Sequence, residues 1–179
     1  MHPLIIPFAG RHPRIAPDAF IAPTAVIIGD VEIGPRASIW YGCVLRGDTN
    51  SIRIGAETNI QDGTVIHVNH SPERGMHGFA TEIGAGITVG HMALLHACTL
   101  ADGSFVGMRA SVIDGAYVET GGMVAAGALV TPNKRVKRGE LWAGSPAKPM
   151  RALSPAEIEG FGESIRHYCE LAESHRRRA

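Results

Sequence analysis

Three histidines, His67, His91 and His96, each follow an aliphatic residue at a fixed short offset. His67 comes directly after Ile66, His96 directly after Leu95, and His91 two positions after Val89. Imidazole is the commonest metal-binding side chain, and three of them with an open fourth position form the ligand set of a hydrolytic or hydrating zinc centre. Four polar residues crowd against these histidines. Arg46 follows Leu45 in the phase of His67 and His96, and Asp62 follows Ile60 in the phase of His91. A carboxylate at position 62 can orient an imidazole or pair with a base across an interface. Arg46 with Asp48 and Asp62 can form a fixed ion pair, within one chain or between chains. Gln61, on the adjacent face, offers an amide to hydrogen-bond a hydroxide on the metal. Any one of these histidines alone reads as a surface residue with ordinary hydrogen bonds. Two stacked in phase, with a third nearby, favour a site.

The elements that must hold these residues are written in the same spacing. An aliphatic recurs every sixth residue: Ile15, Ile21, Ile27, Ile33, Ile39, Leu45, then Ile54, Ile60, Ile66, then Ile83, Val89, Leu95. After a one-residue slip it continues as Leu100, Val106, Val112, Val118, Val124, Val130 and Val136. Neither a helical nor a two-residue strand period produces this. A six-residue repeat predicts a parallel β-helix of triangular coils, each aliphatic stacking inward on that of the next coil. Two breaks interrupt the series. Three extra residues stand between Leu45 and Ile54, and between Ile66 and Ile83 the expected aliphatic positions are Pro72 and Gly78. Residues 68–82 are therefore predicted to leave the coil as a loop, where binding groups tend to be placed.

With that loop set aside, His67 and His96 fall on one side of the coil, one rung apart. A rung is about 4.8 Å, and a metal roughly 2.0–2.1 Å from each nitrogen fits between two such rings. His91 falls on another side of the triangle, so one chain does not bring all three to a point. A neighbouring chain can supply His91, and ring closure by cyclic symmetry makes a homotrimer the natural assembly.

The rest of the chain is consistent with one domain. Residues 1–153 read as the β-helix with a Pro-rich cap over residues 1–14, the repeat over 15–138 and an irregular connector over 139–153. Residues 154–179 hold a helix packed along it, predicted over 154–178. Ser154-Pro155-Ala156-Glu157 supplies a capping box with proline at the first helical position. Ile158, Phe161, Ile165, Tyr168 and Ala172 give that helix an apolar stripe. Lys plus Arg (17) equals Asp plus Glu (17), so no net field draws the chain to nucleic acid or an anionic membrane. Arg176 to Arg178 read as a solvated tail. Three scattered cysteines without a CxxC pair argue for a reducing, cytoplasmic setting. No signal-peptide pattern or run of ~20 apolar residues is present.

Arg46-Gly47-Asp48, Asn59-Ile60-Gln61-Asp62-Gly63 running to His67, and Gly90-His91 with His96 resemble the γ-class carbonic anhydrase family over nearly the whole chain. The resemblance implies an all-β, left-handed parallel β-helix, an exception to the usual right-handed crossover, with a C-terminal α-helix. It implies a trimer with interfacial metals, Zn²⁺ or alternatively Fe²⁺ or Co²⁺. It implies reversible hydration of CO₂ to bicarbonate by a metal-bound hydroxide. His67 and His96 would bind from one subunit and His91 from its neighbour. Arg46, Asp48 and Asp62 would form the interface ion pairs, and Gln61 and Asn59 would position hydroxide and substrate. Tyr168 resembles a tyrosine that some members direct toward the metal.

Two departures bear on rate. Thr49 stands where well-known members carry Glu, and the loop after His67 offers Asn69, His70 and Glu73 in place of an acidic proton-shuttling segment. His70 is the imidazole suited to that shuttle. Two other functions remain open. Ala143-Gly144-Ser145-Pro146-Ala147-Lys148 resembles the tail of hexapeptide-repeat acyltransferases, which points to acyl-CoA thioesterase or acyltransferase chemistry. A non-catalytic trimeric accessory protein is the third.

Overall fold

The fold is taken from a computed structural model that describes residues 2–70 and 79–177. The aliphatic series builds three inward ladders along a parallel β-solenoid. On the first side Ile27 aligns with Leu45, Leu45 with Ile66, Ile66 with Leu95, Leu95 with Val112 and Val112 with Val130. On the second, Ile33, Ile54, Ile83, Leu100, Val118 and Val136 stack in the same way. The third runs from Ile21 through Ile39, Ile60, Val89, Val106 and Val124 to Trp142. Nearly all of these side chains are buried in one continuous core. Each contributes roughly 1.5–3 kcal/mol of hydrophobic stabilisation, which a rung alone cannot obtain.

The three extra residues after Leu45 have a structural use. Strand Val44–Ile54 runs for 11 residues, turns the corner of the triangle and joins two of its sides into one sheet. Its register with Val26–Ile33 shifts between Gly29 and Val31, which absorbs the insertion. Of the predicted loop over residues 68–82, the stretch holding Pro72, Glu73 and Gly78 lies outside the described residues. Val68 is buried in the core and Thr81–Ile83 is already a strand paired with Ile52–Ile54, so the coil extends into both ends of the predicted loop.

Two segments differ from expectation. Leu4–Ile6 pairs in parallel with Val26–Ile28, so the amino-terminal stretch supplies a strand to the first rung. The connector is a hairpin of Glu140–Gly144 against Ala147–Ala152, antiparallel, around the Ser145–Pro146 turn. Its first strand continues the solenoid, because Leu141 and Trp142 align with Met123 and Val124.

The helix Pro155–Arg176 then returns along the wall, burying Phe161, Cys169 and Ala172. Its capping box forms as the sequence specifies: Ser154 and Glu157 satisfy each other's backbone N–H groups. Arg151 also grips both oxygens of Glu157, at 2.7 and 2.9 Å. These hydrogen bonds, Arg151's first, hold the Glu157 carboxyl at a pKa of about 2, below its ordinary 4.5. A depressed carboxylate stabilises the fold above its ordinary pKa and ceases to do so as pH falls through the folded value. Helix docking is therefore expected to weaken from about pH 4.5 down to 2, and Glu157→Gln to flatten that segment of the profile. Circular dichroism at 222 nm against pH, wild type beside variant, checks it. Two superimposable curves would refute the assignment. Among the described residues, no helix is long and apolar enough to cross a membrane.

Candidate metal centre

His67 and His96 leave adjacent rungs of one sheet, directly opposite each other in register. Their ring centroids are 5.3 Å apart at an interplanar angle of 49°. A ring nitrogen ~2.1 Å from zinc puts the imidazole centroid roughly 3.2 Å from the metal, so two rings at a tetrahedral angle have centroids about 5.2 Å apart. The observed spacing matches that of two imidazoles sharing one tetrahedral ion. Each ring also keeps one nitrogen free. His67 Nε2 lies 3.0 Å from Asp48 Oδ1, and His96 Nδ1 lies 2.9 Å from Asp114 Oδ2. A carboxylate on the far nitrogen is the usual support of a metal-binding imidazole.

His91 stands elsewhere. It occupies the turn after Thr88–Val89, a strand of the other sheet, and its Nδ1 lies 3.0 Å from Asp62 Oδ2. Among the described residues, no three His, Cys, Asp or Glu side chains of one chain converge on a point that could hold a metal ion. The turn is tightly built. A Cβ on Gly90 would lie 2.5 Å from the Met108 amide nitrogen of the next rung. Gly90→Ala is expected to destabilise the chain by ~1–3 kcal/mol through this backbone clash and to displace His91. Urea denaturation measures the first effect, and a midpoint equal to wild type would contradict it.

Electrostatics keep the first ring neutral. Burial, reinforced by the charges of Arg46 and His96, holds His67 below the ordinary imidazole pKa despite its bond to Asp48. A ligating histidine has to be neutral. Burial alone would raise the Asp48 carboxyl. Hydrogen bonds from Arg46 (2.5 Å) and His67 outweigh it and leave the carboxyl below its usual value. Arg46 thus pairs with Asp48 inside one strand, while Asp62 pairs with His91.

The remaining predicted residues are spread between His91, the helix and the Asp114 side of His96. Gln61 and His91 line one end of a cleft of about 330 Å³, with Phe105, Met108 and Met123 further along. Gln61 donates to Asn59 Oδ1 at 3.1 Å, and Asn59 donates to Thr88 Oγ1 at 2.9 Å. Thr88 reaches Ser164 of the helix at 3.1 Å. Tyr168 packs edge-on against Trp40, with centroids 5.4 Å apart. Burial and then the Asp62 charge raise its pKa, so the phenol stays protonated. His70 is part-buried, its backbone N–H bonded to Asn69 Oδ1 at 2.7 Å. Asp114 was not among the residues predicted from sequence. The signal for it was the phase: it stands two positions after Val112, directly below the His96 rung.

Comparisons with known proteins bear on the fold and the family. Residues 12–47 match the bacterial transferase hexapeptide (six repeats) model. The chain is 50% identical to the mitochondrial γ carbonic anhydrase 2 of Arabidopsis thaliana over 92% of its own length, and spans 59% of that relative. It is 36% identical to a carbonic anhydrase of Geobacillus kaustophilus, covering 93% of this chain and 88% of that one. A solved hexapeptide transferase family protein from Anaplasma phagocytophilum is 48% identical and superposes with a TM-score of 0.88. It covers 96% of this chain and 97% of its own. With a carbonic anhydrase matched over 88% of its length and a γ carbonic anhydrase 50% identical, the chain belongs to the γ-class carbonic anhydrase family of hexapeptide-repeat proteins.

Proposed function

We propose that this protein is a carbonic anhydrase, hydrating CO₂ reversibly to bicarbonate at a metal centre shared between copies of the chain in a homotrimer. The observation that carries the reading is the His67–His96 pair, spaced for one tetrahedral ion and each ring tied through one nitrogen to a carboxylate. His67 and His96 of one subunit and His91 of the next would hold the ion, Zn²⁺ by donor set, with Fe²⁺ or Co²⁺ as alternatives. Such an ion lowers the pKa of water toward ~7 and so supplies a nucleophile at neutral pH.

The chain's own residues do the rest. Asp48 and Asp62 orient His67 and His91. The Gln61 amide, steadied by Asn59, presents a hydrogen-bonding group at the mouth of the cleft, where it can align the attacking oxygen or the bicarbonate product. Tyr168, its phenol protonated, can donate a hydrogen bond, which suits an anionic product. The apolar walls of Phe105 and Met108 favour CO₂ over water.

The surface around the histidines supports self-association. Val44, Val65 and Leu94 form an outward apolar ladder beside His67 and His96. Met92 and Met108, in the turns beside His91, are 59% and 54% exposed in the single chain. Apolar exposure concentrated around a metal half-site marks an interaction face.

A second reading, hydrolysis of acyl-CoA thioesters, is favoured by the cleft itself, whose 330 Å³ and methionine lining exceed what CO₂ requires. Metal analysis of the purified protein beside assays of CO₂ hydration and acyl-CoA hydrolysis decides between them. About one ion per subunit with hydration activity supports the first reading. A fully loaded trimer that cleaves thioesters and leaves CO₂ untouched overturns it.

A further inference from the structure

We infer that Asp114, itself oriented by Asn69, is the positioning residue that fixes which ring nitrogen of His96 carries the proton. The consequence for metal binding rests on the proposed function above. The tautomer does not.

Both oxygens of Asp114 are committed. Oδ2 lies 2.9 Å from His96 Nδ1, and Oδ1 accepts from Asn69 Nδ2 at 2.9 Å. The Asp114 backbone is held as well, its carbonyl accepting from the Asn133 N–H at 2.9 Å. Asn69 is fastened in turn. Its Oδ1 accepts from the His70 N–H at 2.7 Å, and its backbone N–H donates to the Phe79 carbonyl at 3.1 Å. An ionised carboxylate only accepts hydrogen bonds. The nitrogen facing it therefore carries the ring proton, which leaves His96 Nε2 as the free lone pair.

That assignment matters because the neighbouring ring is the other way round. His67 meets its carboxylate through Nε2, so its free nitrogen is Nδ1. Two rings in register, one rung apart, thus present unlike nitrogens. Packing against a flat β-surface does not distinguish the two neutral forms of imidazole. Their far-side hydrogen-bond partners do. Asp48 performs this for His67, and Asp114 for His96, from the rung below. Asn69 adds a directional constraint, because its N–H requires an acceptor at Oδ1 of residue 114.

That constraint gives a sharp test. In Asp114→Asn the introduced amide must keep its oxygen toward the Asn69 N–H. Its NH₂ then faces His96 Nδ1 and drives the ring proton to Nε2. Adding Asn69→Ala frees the amide to turn over, so the double variant should recover the Nδ1–H form. The readouts are ¹⁵N shifts of the His96 ring in the full-length protein before zinc is added, and zinc affinity by chelator competition afterwards. Expected are a switched tautomer and a ~10–100-fold weaker zinc affinity in Asp114→Asn, both largely restored in the double variant. A thermal melt of each variant controls for folding, which a flipped tautomer leaves unchanged. An unswitched tautomer in Asp114→Asn overturns the inference, and a switched tautomer with wild-type zinc affinity overturns its consequence for metal binding. Should the wild type bind no zinc, the proposed function fails, and the ¹⁵N shifts still decide the role of Asp114.

Discussion

Subunits carrying His91→Ala, and subunits carrying His67→Ala together with His96→Ala, are each expected to hold no metal and hydrate no CO₂. Mixed and reassembled, they are expected to regain about a quarter of the wild-type sites, the fraction set by three-fold ring closure. The pair on one sheet and His91 on the other belong to different faces of the triangle. In a ring, each centre draws its pair from one subunit and its single ligand from the next. A mixed ring has one junction at which an intact pair meets an intact His91. Random mixing makes about three quarters of the rings mixed, each with one working centre in three. The fold should survive both sets of changes, because these side chains lie outside the core ladders. Metal content and hydration rate of the mixture, with native mass spectrometry to verify hybrid trimers, give the result. Full metal content in His91→Ala alone, or hybrids that recover nothing, would sink the shared centre.

The contrast between Asp62 and Asp114 marks the limit of reading this site from sequence. Asp62 was legible because it shares His91's offset from a core aliphatic, and the two do meet at 3.0 Å. Asp114 shares His91's offset yet serves His96, because a turn swings it back toward the rung above. Offsets give a residue's place on a rung, and turns decide which way a side chain leans. The core ladders were legible as far as Val136, since stacking every sixth residue admits one arrangement, but the closing Trp142 of the third ladder was read as connector. The hairpin of Glu140–Gly144 with Ala147–Ala152 was not, because Gly144 and Pro146 signal a turn without saying that the chain pairs with itself. The Arg46–Asp48 pair was open between a local and an intersubunit role, and within one chain it forms along a single strand. That pairing leaves Arg46 free to reach a second carboxylate in an assembly.

If the protein hydrates CO₂, the rate at low buffer is expected to be slow and to rise by roughly 10²-fold as imidazole is added, the lower end of what a positioned proton acceptor contributes. Each turnover releases a proton that must leave the centre, and the groups available for its exit are few. Thr49 lies half-buried in the long strand Val44–Ile54 and cannot take up a proton. Asp48 and Asp62 are engaged with His67 and His91, and Asp114 is shared between His96 and Asn69. Using any of them as a relay would disturb the ligand it orients. Among the described residues beside the His67–His96 pair, His70 remains, part-buried and tied through its backbone to Asn69. His70→Ala is therefore expected to lower the low-buffer rate further while leaving the rate at saturating imidazole near wild type, since the external base replaces the same function. The measurement is hydration rate against imidazole concentration at fixed pH for both proteins. High rates independent of buffer in both would remove the proton-exit argument. A loss in the variant that imidazole does not restore would instead give His70 a structural role beside Asn69.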